Sequence, residues 1–119
     1  MEKKQKILFV CTANTHRSPT AQDLFSKDKR FEVRSCGIHP LSPTPISKEL
    51  VEWADIIFVF CERLEGHRTF IEDKFPNLKK PIIDLNIPDN YWREDPELIA
   101  ILKKKLTNYL DYGKSKPAS

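Results

Sequence analysis

The stretch ILFVCTANTHRSPTAQDLF, residues 7–25, decides the fold. It begins with a run of apolar, strand-prone residues that ends at Cys11, and a helical pattern begins after Ser18. Ser18 and Pro19 fit the N-cap and N1 positions of a helix, and an apolar stripe continues to Phe25. The stretch therefore predicts a buried parallel strand, a loop and a helix.

The rest of the chain continues this alternation of strand and helix. We predict strands over residues 6–11, 31–35, 56–60 and 82–87. We predict helices after Ser18, from a Ser47 cap through Trp53, over about 62–75 and over 96–112. Such alternation favours an α/β fold: a doubly wound, three-layer α/β/α arrangement around a four-stranded parallel sheet, for which we expect the strand order 2-1-3-4.

Length and composition narrow the classes of function. The 119 residues predict a single domain over 1–119, in which about 113–119 form a frayed tail. No apolar run approaches the roughly 20 residues that a membrane helix needs, so we expect no membrane partner. The net charge of +3 is spread among acids, and the basic stretch LKKKL at 102–106 fits a solvated helix face, so we expect no nucleic-acid partner.

The cysteines and the first residues predict a compartment. Cys11, Cys36 and Cys61 are odd in number and widely spaced, so they make no disulfide framework. The apolar run that follows the first lysines is too short for a signal peptide. We therefore expect a cytoplasmic protein, and a monomer, as is usual for a small domain.

The loop between Cys11 and Ser18 has the composition of an anion site. A loop that leaves a parallel strand and enters a helix presents backbone N–H groups and partial positive charge to one point. Arg17 can hold two phosphate oxygens at once, and the same positive field favours a nucleophilic thiolate at Cys11. Ser18 could donate to that thiolate, and Asn14 tolerates the left-handed backbone that a curled loop needs. A buried structural cysteine is the plainer alternative.

The same residues carry a resemblance to a known family. The stretch FVCTANTHRSPTAQDLF is similar to the phosphate-binding signature of low-molecular-weight protein tyrosine phosphatases, with matches at Val10, Cys11, Asn14, Arg17, Ser18, Pro19, Ala21 and Phe25. VRSCG and WADIIFVF resemble the second and third strands of that family. The chain departs from the pattern at Ala13, which replaces a glycine, at His16, which replaces a frequent second cysteine, and in a shortened region around 37–47.

The resemblance implies a phosphomonoester hydrolase that works through a cysteinyl-phosphate without metal or cofactor. Cys11 would be the nucleophile, with Ser18 supporting it. The phosphate would be held by Thr12, Ala13, Asn14, Thr15, His16 and Arg17. The implied substrate is a protein phosphorylated on tyrosine or a small aryl phosphomonoester, and inorganic phosphate is the product.

The resemblance also implies a general acid on the loop after the fourth strand. Aligning Tyr91 with the family's aromatic residue makes Asp89 the acid, with Asn90 where proline is usual. Asp95 is the alternative, although it precedes Pro96 as a helix N-cap would. Tyr91 and Trp92 could form an apolar wall against a phenyl ring, or could simply pack on the last helix.

Three other functions remain possible at this stage. A zinc site could use Cys11, His16, Cys36 and His39. An arsenate reductase on the same scaffold would need cysteines close enough to relay a disulfide. A cysteine phosphocarrier or phosphate-binding module would not need Arg17.

Overall fold

Four parallel strands form one sheet in the predicted order. The computed structural model describes residues 4–14, 16–88, 90–107 and 109. The strands are β1 (Gln5–Cys11), β2 (Phe31–Gly37), β3 (Ile56–Val59) and β4 (Ile82–Asp84). The helices are α1 (Arg17–Phe25), α2 (Lys48–Trp53), α3 (Glu62–Glu65), α4 (His67–Lys74) and α5 (Pro96–Leu106). The sheet order is β2-β1-β3-β4 and every pairing is parallel, so the predicted fold class and order are confirmed.

The first strand lies in the middle of the sheet, paired with β2 on one side and β3 on the other. Ile7, Leu8, Phe9 and Val10 are all fully buried. A continuous apolar run is what a strand covered on both faces requires, because successive side chains point to opposite faces. The sequence of β1 thus places the end of the strand, Cys11, at the centre of the sheet's carboxyl edge.

The two faces of the sheet carry separate cores. One face packs α1 and α5 against β1 and β3, through residues that include Ile7, Phe9, Phe25, Phe58, Leu98 and Leu102. The other packs α2 and α4, through residues that include Leu8, Val10, Val51, Ala54, Ile57 and Ile71. This gives the predicted three layers. No helix of the described residues is long and apolar enough to cross a membrane.

Two predicted helices have different bounds. The segment 62–75 is not one helix, because Gly66 adopts a left-handed conformation (φ 67°) and separates the single turn α3 from α4. The last helix ends at Leu106 rather than at 112, and its tail lies mostly outside the described residues. The predicted frayed segment 113–119 lies entirely outside them.

The start of α1 also differs from the prediction. The helix begins at Arg17, and His16 occupies the N-cap position, so Ser18 and Pro19 lie within the first turn. Ser18 is not a cap because its hydroxyl bonds to Cys11 and Asn14 instead. The predicted Ser47 cap of α2 is confirmed, with the hydroxyl accepting from the Leu50 N–H at 3.3 Å.

The fourth strand is shorter than predicted, ending at Asp84 instead of 87. The Asp84 carboxylate accepts the N–H of Asn86 at 2.9 Å, and Asn86 has a positive φ of 56°. This local turn ends regular pairing, since a left-handed residue cannot continue a strand. Leu85 and Ile87 remain buried, and their N–H groups still donate to the Val59 and Phe60 carbonyls, while the Ile87 carbonyl accepts from Arg17.

Candidate active site

Cys11 ends the central strand and lies inside a small set of polar contacts. Its sulfur is 2.9 Å from the Ser18 Oγ and accepts the backbone N–H of Asn14 at 3.2 Å. Asn14 has a φ of 56°, the left-handed conformation expected for a loop that curls its amides inward. The loop therefore folds back over the sulfur, and only 2% of the Cys11 surface is exposed.

Ser18 connects Cys11 and Asn14 through a single hydroxyl. Its Oγ is 2.7 Å from the Asn14 Oδ1 as well as 2.9 Å from the sulfur. A hydroxyl has one proton to donate, so a thiol at Cys11 donates to Ser18 while Ser18 donates to Asn14. When the sulfur is a thiolate, the Ser18 proton can turn to it instead. Ser18 is thus placed to stabilise the charged sulfur.

The proline-rich loop 37–47 supports the loop between Cys11 and Arg17, which we call the phosphate loop after its predicted role. The N–H groups of Ile38 and His39 donate to the carbonyls of Cys11 and Thr12 at 2.9 and 3.0 Å. A Cβ at Gly37 would lie 2.6 Å from the Thr12 carbonyl oxygen and 2.9 Å from the Ser42 Cβ. Only glycine lets β2 end this close to the loop backbone.

Arg17 stands at the other end of the loop, and its guanidinium is bound by a carboxylate. Its two terminal nitrogens each donate to one oxygen of Glu65 at 2.7 Å, and one of them also donates to the Ile87 carbonyl at 3.0 Å. The guanidinium also lies 5.7 Å from the centre of the Phe60 ring. Arg17 is only 2% exposed, so its guanidinium is shielded from solvent.

Glu65 belongs to a hydrogen-bond chain that reaches the phosphate loop twice. Besides Arg17, it accepts the hydroxyl of Thr12 at 2.5 Å. Burial acts to raise the pKa of the Glu65 carboxyl, but the hydrogen bonds from Arg17 and Thr12 outweigh it and hold the pKa below its ordinary value. Glu65 is therefore an anion at neutral pH.

His67, the first residue of α4, is the last member of this hydrogen-bond chain. Its Nδ1 accepts the backbone N–H of Cys61 at 3.1 Å, so the proton of a neutral ring lies on Nε2. Nε2 is 2.8 Å from the Thr12 Oγ1 and 3.2 Å from a Glu65 oxygen. Burial lowers the pKa of His67, although Glu65 opposes the shift. The ring is thus a neutral donor that fixes the Thr12 hydroxyl toward Glu65.

Asp89 and Thr15, two of the predicted site residues, lie outside the described residues. Both sides of the Asp89 segment nevertheless touch the site: Ile87 through its bond from Arg17, and Trp92 through an edge-on contact with His16 at 5.5 Å between ring centres. The Asp95 carboxylate accepts the Glu97 N–H at 2.9 Å and caps α5.

The two aromatic candidates have different surroundings. Tyr91 packs against the core on the α1 and α5 face, as the plainer interpretation expected. Trp92 is 74% exposed beside His16, at the rim of the phosphate loop. Of the pair, Trp92 is the more exposed.

The other cysteines do not join Cys11. All three are free thiols, and Cys36 and Cys61 are fully buried. Cys36 belongs to the core on the opposite face of the sheet from Cys11, and burial raises the pKa of its thiol. Within the described part of the chain, no three histidine, cysteine or acidic side chains form a metal-binding group.

Glu65 and His67 were not identified from the sequence. Both lie in CERLEGHR, residues 61–68, which carries the pattern of a solvated helix start. The one indication in the sequence was Gly66. Its left-handed turn lets the side chains of Glu65 and His67 approach each other to 3.2 Å. Spacing along the chain could not show that Glu65 contacts Arg17, because the contact joins residues 48 positions apart.

Comparison with solved structures identifies the architecture. The low molecular weight protein tyrosine phosphatase SP-PTP from Streptococcus pyogenes superposes with a TM-score of 0.71 at 17% identity, covering 94% of this chain and 95% of that one. The chain has the fold of low-molecular-weight protein tyrosine phosphatases.

Two further solved structures share this fold. The tyrosine phosphatase Wzb from Escherichia coli K30, in complex with phosphate, has a TM-score of 0.70 at 18% identity, covering 90% of this chain and 96% of that one. The YwlE arginine phosphatase from Geobacillus stearothermophilus has a TM-score of 0.66 at 24% identity, covering 95% of this chain and 99% of that one. No protein-family model and no curated protein sequence matches the chain.

Proposed function

We propose that this chain is a phosphatase of the low-molecular-weight protein tyrosine phosphatase family. The observation that carries the proposal is the loop in which Cys11 accepts the Asn14 N–H and contacts the Ser18 hydroxyl, while Arg17 lies at the opposite end. A nucleophile, an arginine and a helix N-terminus belong to one loop and the helix that follows it, and phosphoryl transfer needs these groups together. The fold shared with known phosphatases supports it.

The proposed reaction has two steps. The Cys11 thiolate attacks phosphorus, a sulfur–phosphorus bond forms, and the bond from phosphorus to the leaving group breaks. Water then attacks the cysteinyl-phosphate, releasing inorganic phosphate and restoring the thiolate. Arg17 and the loop amides hold the phosphoryl oxygens in both steps, and the Ser18 hydroxyl stabilises the sulfur when it leaves. These groups supply the positive charge, so we propose no metal or cofactor.

We propose Asp89 as the acid that protonates the leaving group. Residues on either side of Asp89 in the chain reach the site: the Ile87 carbonyl accepts from Arg17, and Trp92 contacts His16. Asp95 is the weaker candidate because its carboxylate already accepts a backbone N–H at the start of α5. In the second step the same aspartate would take a proton from the attacking water.

Phosphotyrosine is the first proposed substrate and phosphoarginine the second. Tyrosine is favoured by the shared fold with SP-PTP and Wzb and by the exposed Trp92, which could contact a flat ring. Arginine is favoured by the likeness to the YwlE arginine phosphatase. The proposed partner is accordingly a phosphorylated protein or a small phosphate compound. We propose that the enzyme itself is a cytoplasmic monomer.

The test is phosphate release from p-nitrophenyl phosphate, phosphotyrosine, phosphoserine and phosphoarginine, each with wild type and Cys11→Ser. We expect many turnovers per protein with wild type and none with Cys11→Ser. Release limited to one equivalent would indicate a phosphocarrier instead. Arsenate reduction coupled to a thiol relay would indicate the reductase, which would need Cys36 to reach Cys11 from the opposite face of the sheet.

A further inference from the structure

We infer that Glu65 is a specificity-determining residue whose carboxylate competes with the substrate phosphoryl group for Arg17. The inference rests on the proposed function, since it assumes that Arg17 binds phosphate. In this structure the two Glu65 oxygens each accept one N–H from a terminal nitrogen of Arg17 at 2.7 Å, and one of these nitrogens also donates to the Ile87 carbonyl. A phosphoryl group uses paired guanidinium donors in the same way, so the carboxylate is an internal substitute for the anion.

Glu65 is carried by a turn that can withdraw. None of the residues of α3 is buried, so little apolar contact holds the turn in place. Gly66 follows it with a φ of 67°, and a Cβ added there would meet nothing within 4 Å. The turn therefore has both a permissive backbone position and open space beside it. An incoming phosphoryl group can displace the carboxylate from Arg17 without breaking either core.

The displaced carboxylate stays close to the site. One of its oxygens also contacts Thr12 and His67, the first on the phosphate loop and the second fully buried in α4. Glu65 would then be an anion beside a phosphoryl dianion, without the cation that it had paired with. The aryl group of an aryl phosphate carries no charge, so it leaves this repulsion uncompensated. A phosphoryl group carried on a guanidinium or ammonium group supplies a new cation, and the ion pair is exchanged rather than lost.

Glu65 thus favours substrates whose phosphoryl group is attached to, or directly beside, a cationic group, and it opposes the aryl esters that the shared fold and Trp92 favour. The carboxylate shows the required recognition already, because its present partner is a guanidinium held through two bonds. An aryl phosphate gains nothing from Glu65 and must displace it. Removing the carboxylate charge should therefore strengthen binding of aryl phosphates and inorganic phosphate. It should not strengthen binding of cationic substrates.

The first test measures binding of inorganic phosphate to the full chain by titration calorimetry, for wild type, Glu65→Gln and Glu62→Gln. Glutamine keeps the shape of Glu65 and an oxygen for the Thr12 hydroxyl, but it removes the charge. We expect Glu65→Gln to bind phosphate about tenfold more tightly, or about 1.4 kcal/mol. Glu62→Gln is the matched control: Glu62 lies on the same turn, bonds to Thr69, and should leave affinity within about twofold.

The second test compares kcat/KM for p-nitrophenyl phosphate and phosphoarginine. We expect Glu65→Gln to shift the ratio toward the aryl phosphate by about tenfold, again through the lost charge. Glu65→Ala should shift the phosphate affinity and the kcat/KM ratio in the same direction. This second variant controls for a folding defect caused by glutamine alone. Weaker or unchanged phosphate binding, or an unchanged ratio, would overturn the inference and make Glu65 a support for Arg17. Failure of the proposed function is a different result: wild type would release no phosphate in a Cys11-dependent way.

Discussion

Glu65 and Arg17 form a two-bond ion pair across 48 positions of sequence, with both oxygens of the carboxylate on the terminal nitrogens of the guanidinium. Arg17 is 2% exposed and Glu65 19%, so the pair is largely withdrawn from water. A pair of this kind holds the guanidinium in one orientation, and breaking it without replacement is costly. The Arg17 guanidinium is therefore held in place by a carboxylate and is not open to solvent.

Replacement of Arg17 by lysine tests the paired donors. Lysine keeps the charge but cannot bind two oxygens through one planar group, either those of Glu65 or those of a phosphoryl group. We expect Arg17→Lys to lower kcat/KM for p-nitrophenyl phosphate by roughly 10²- to 10³-fold. Steady-state kinetics checks this, with Arg63→Lys on the exposed side of α3 as the control. Activity within about twofold of wild type for Arg17→Lys would show that only the charge is used.

Replacement of Asp89 by asparagine tests the proposed acid. The loss should lower kcat for p-nitrophenyl phosphate by roughly 10²- to 10⁴-fold, as removal of a general acid usually does. The effect should shrink as the leaving group becomes more acidic, because such a group departs without a proton.

Asp95→Asn is the comparison for Asp89→Asn. Asparagine is also a good N-cap, so we expect stability and activity close to wild type. Asp95→Ala should cost about 1 kcal/mol of unfolding free energy through loss of the cap, measured by urea denaturation. If Asp95→Asn instead produced the large fall in kcat, the assignment of the acid to Asp89 would be wrong.

Replacement of Gly37 by alanine tests the support of the phosphate loop. The new Cβ would lie 2.6 Å from the Thr12 carbonyl oxygen, so the backbone of β2 or of the loop has to move. We expect a loss of about 1–3 kcal/mol in unfolding free energy and weaker phosphate binding. Urea denaturation and phosphate titration measure the two effects. Unchanged stability would mean that the loop backbone yields freely, contrary to the hydrogen bonds that Ile38 and His39 make to it.

His67 predicts a pH dependence of stability. Burial lowers its pKa in the folded state, so below the ordinary value of about 6.5 the unfolded chain binds more protons than the folded one. Stability is therefore complete above about pH 6.5 and falls as the pH decreases toward the folded pKa, with a limiting slope of about 1.4 kcal/mol per pH unit for one proton. Glu65 does not contribute to this window, because its folded pKa lies below its ordinary acidic value.

The measurement is urea denaturation between pH 7 and pH 5 with wild type, His67→Gln and His39→Gln. His67→Gln should be less stable at pH 7, since it disturbs the bonds to Cys61 and Thr12. It should also have a flatter dependence on pH than wild type. His39 is exposed and serves as the control, with a slope like that of wild type. An equal slope for all three proteins would contradict a buried neutral His67.

The sequence predicted the sheet and the phosphate loop because both follow from local patterns. The apolar run before Cys11 requires burial on both faces, and Asn14 fits the left-handed position that it occupies. Ser18 was predicted both as a helix cap and as a donor to Cys11; its hydroxyl lies 2.9 Å from the sulfur, while His16 takes the N-cap position. The partner of Arg17 could not be predicted, because Glu65 reaches it only through the turn that Gly66 creates between two helices.

The central claim is that Cys11 carries the phosphoryl group. Its most direct test is Cys11→Ser, assayed for turnover of p-nitrophenyl phosphate and for binding of inorganic phosphate by titration calorimetry. The Cys11 sulfur is surrounded by Ser18 and the Asn14 N–H, and a serine hydroxyl fits the same contacts. The account predicts that Cys11→Ser binds phosphate and has no measurable turnover. Substantial turnover by Cys11→Ser would contradict covalent catalysis through this residue.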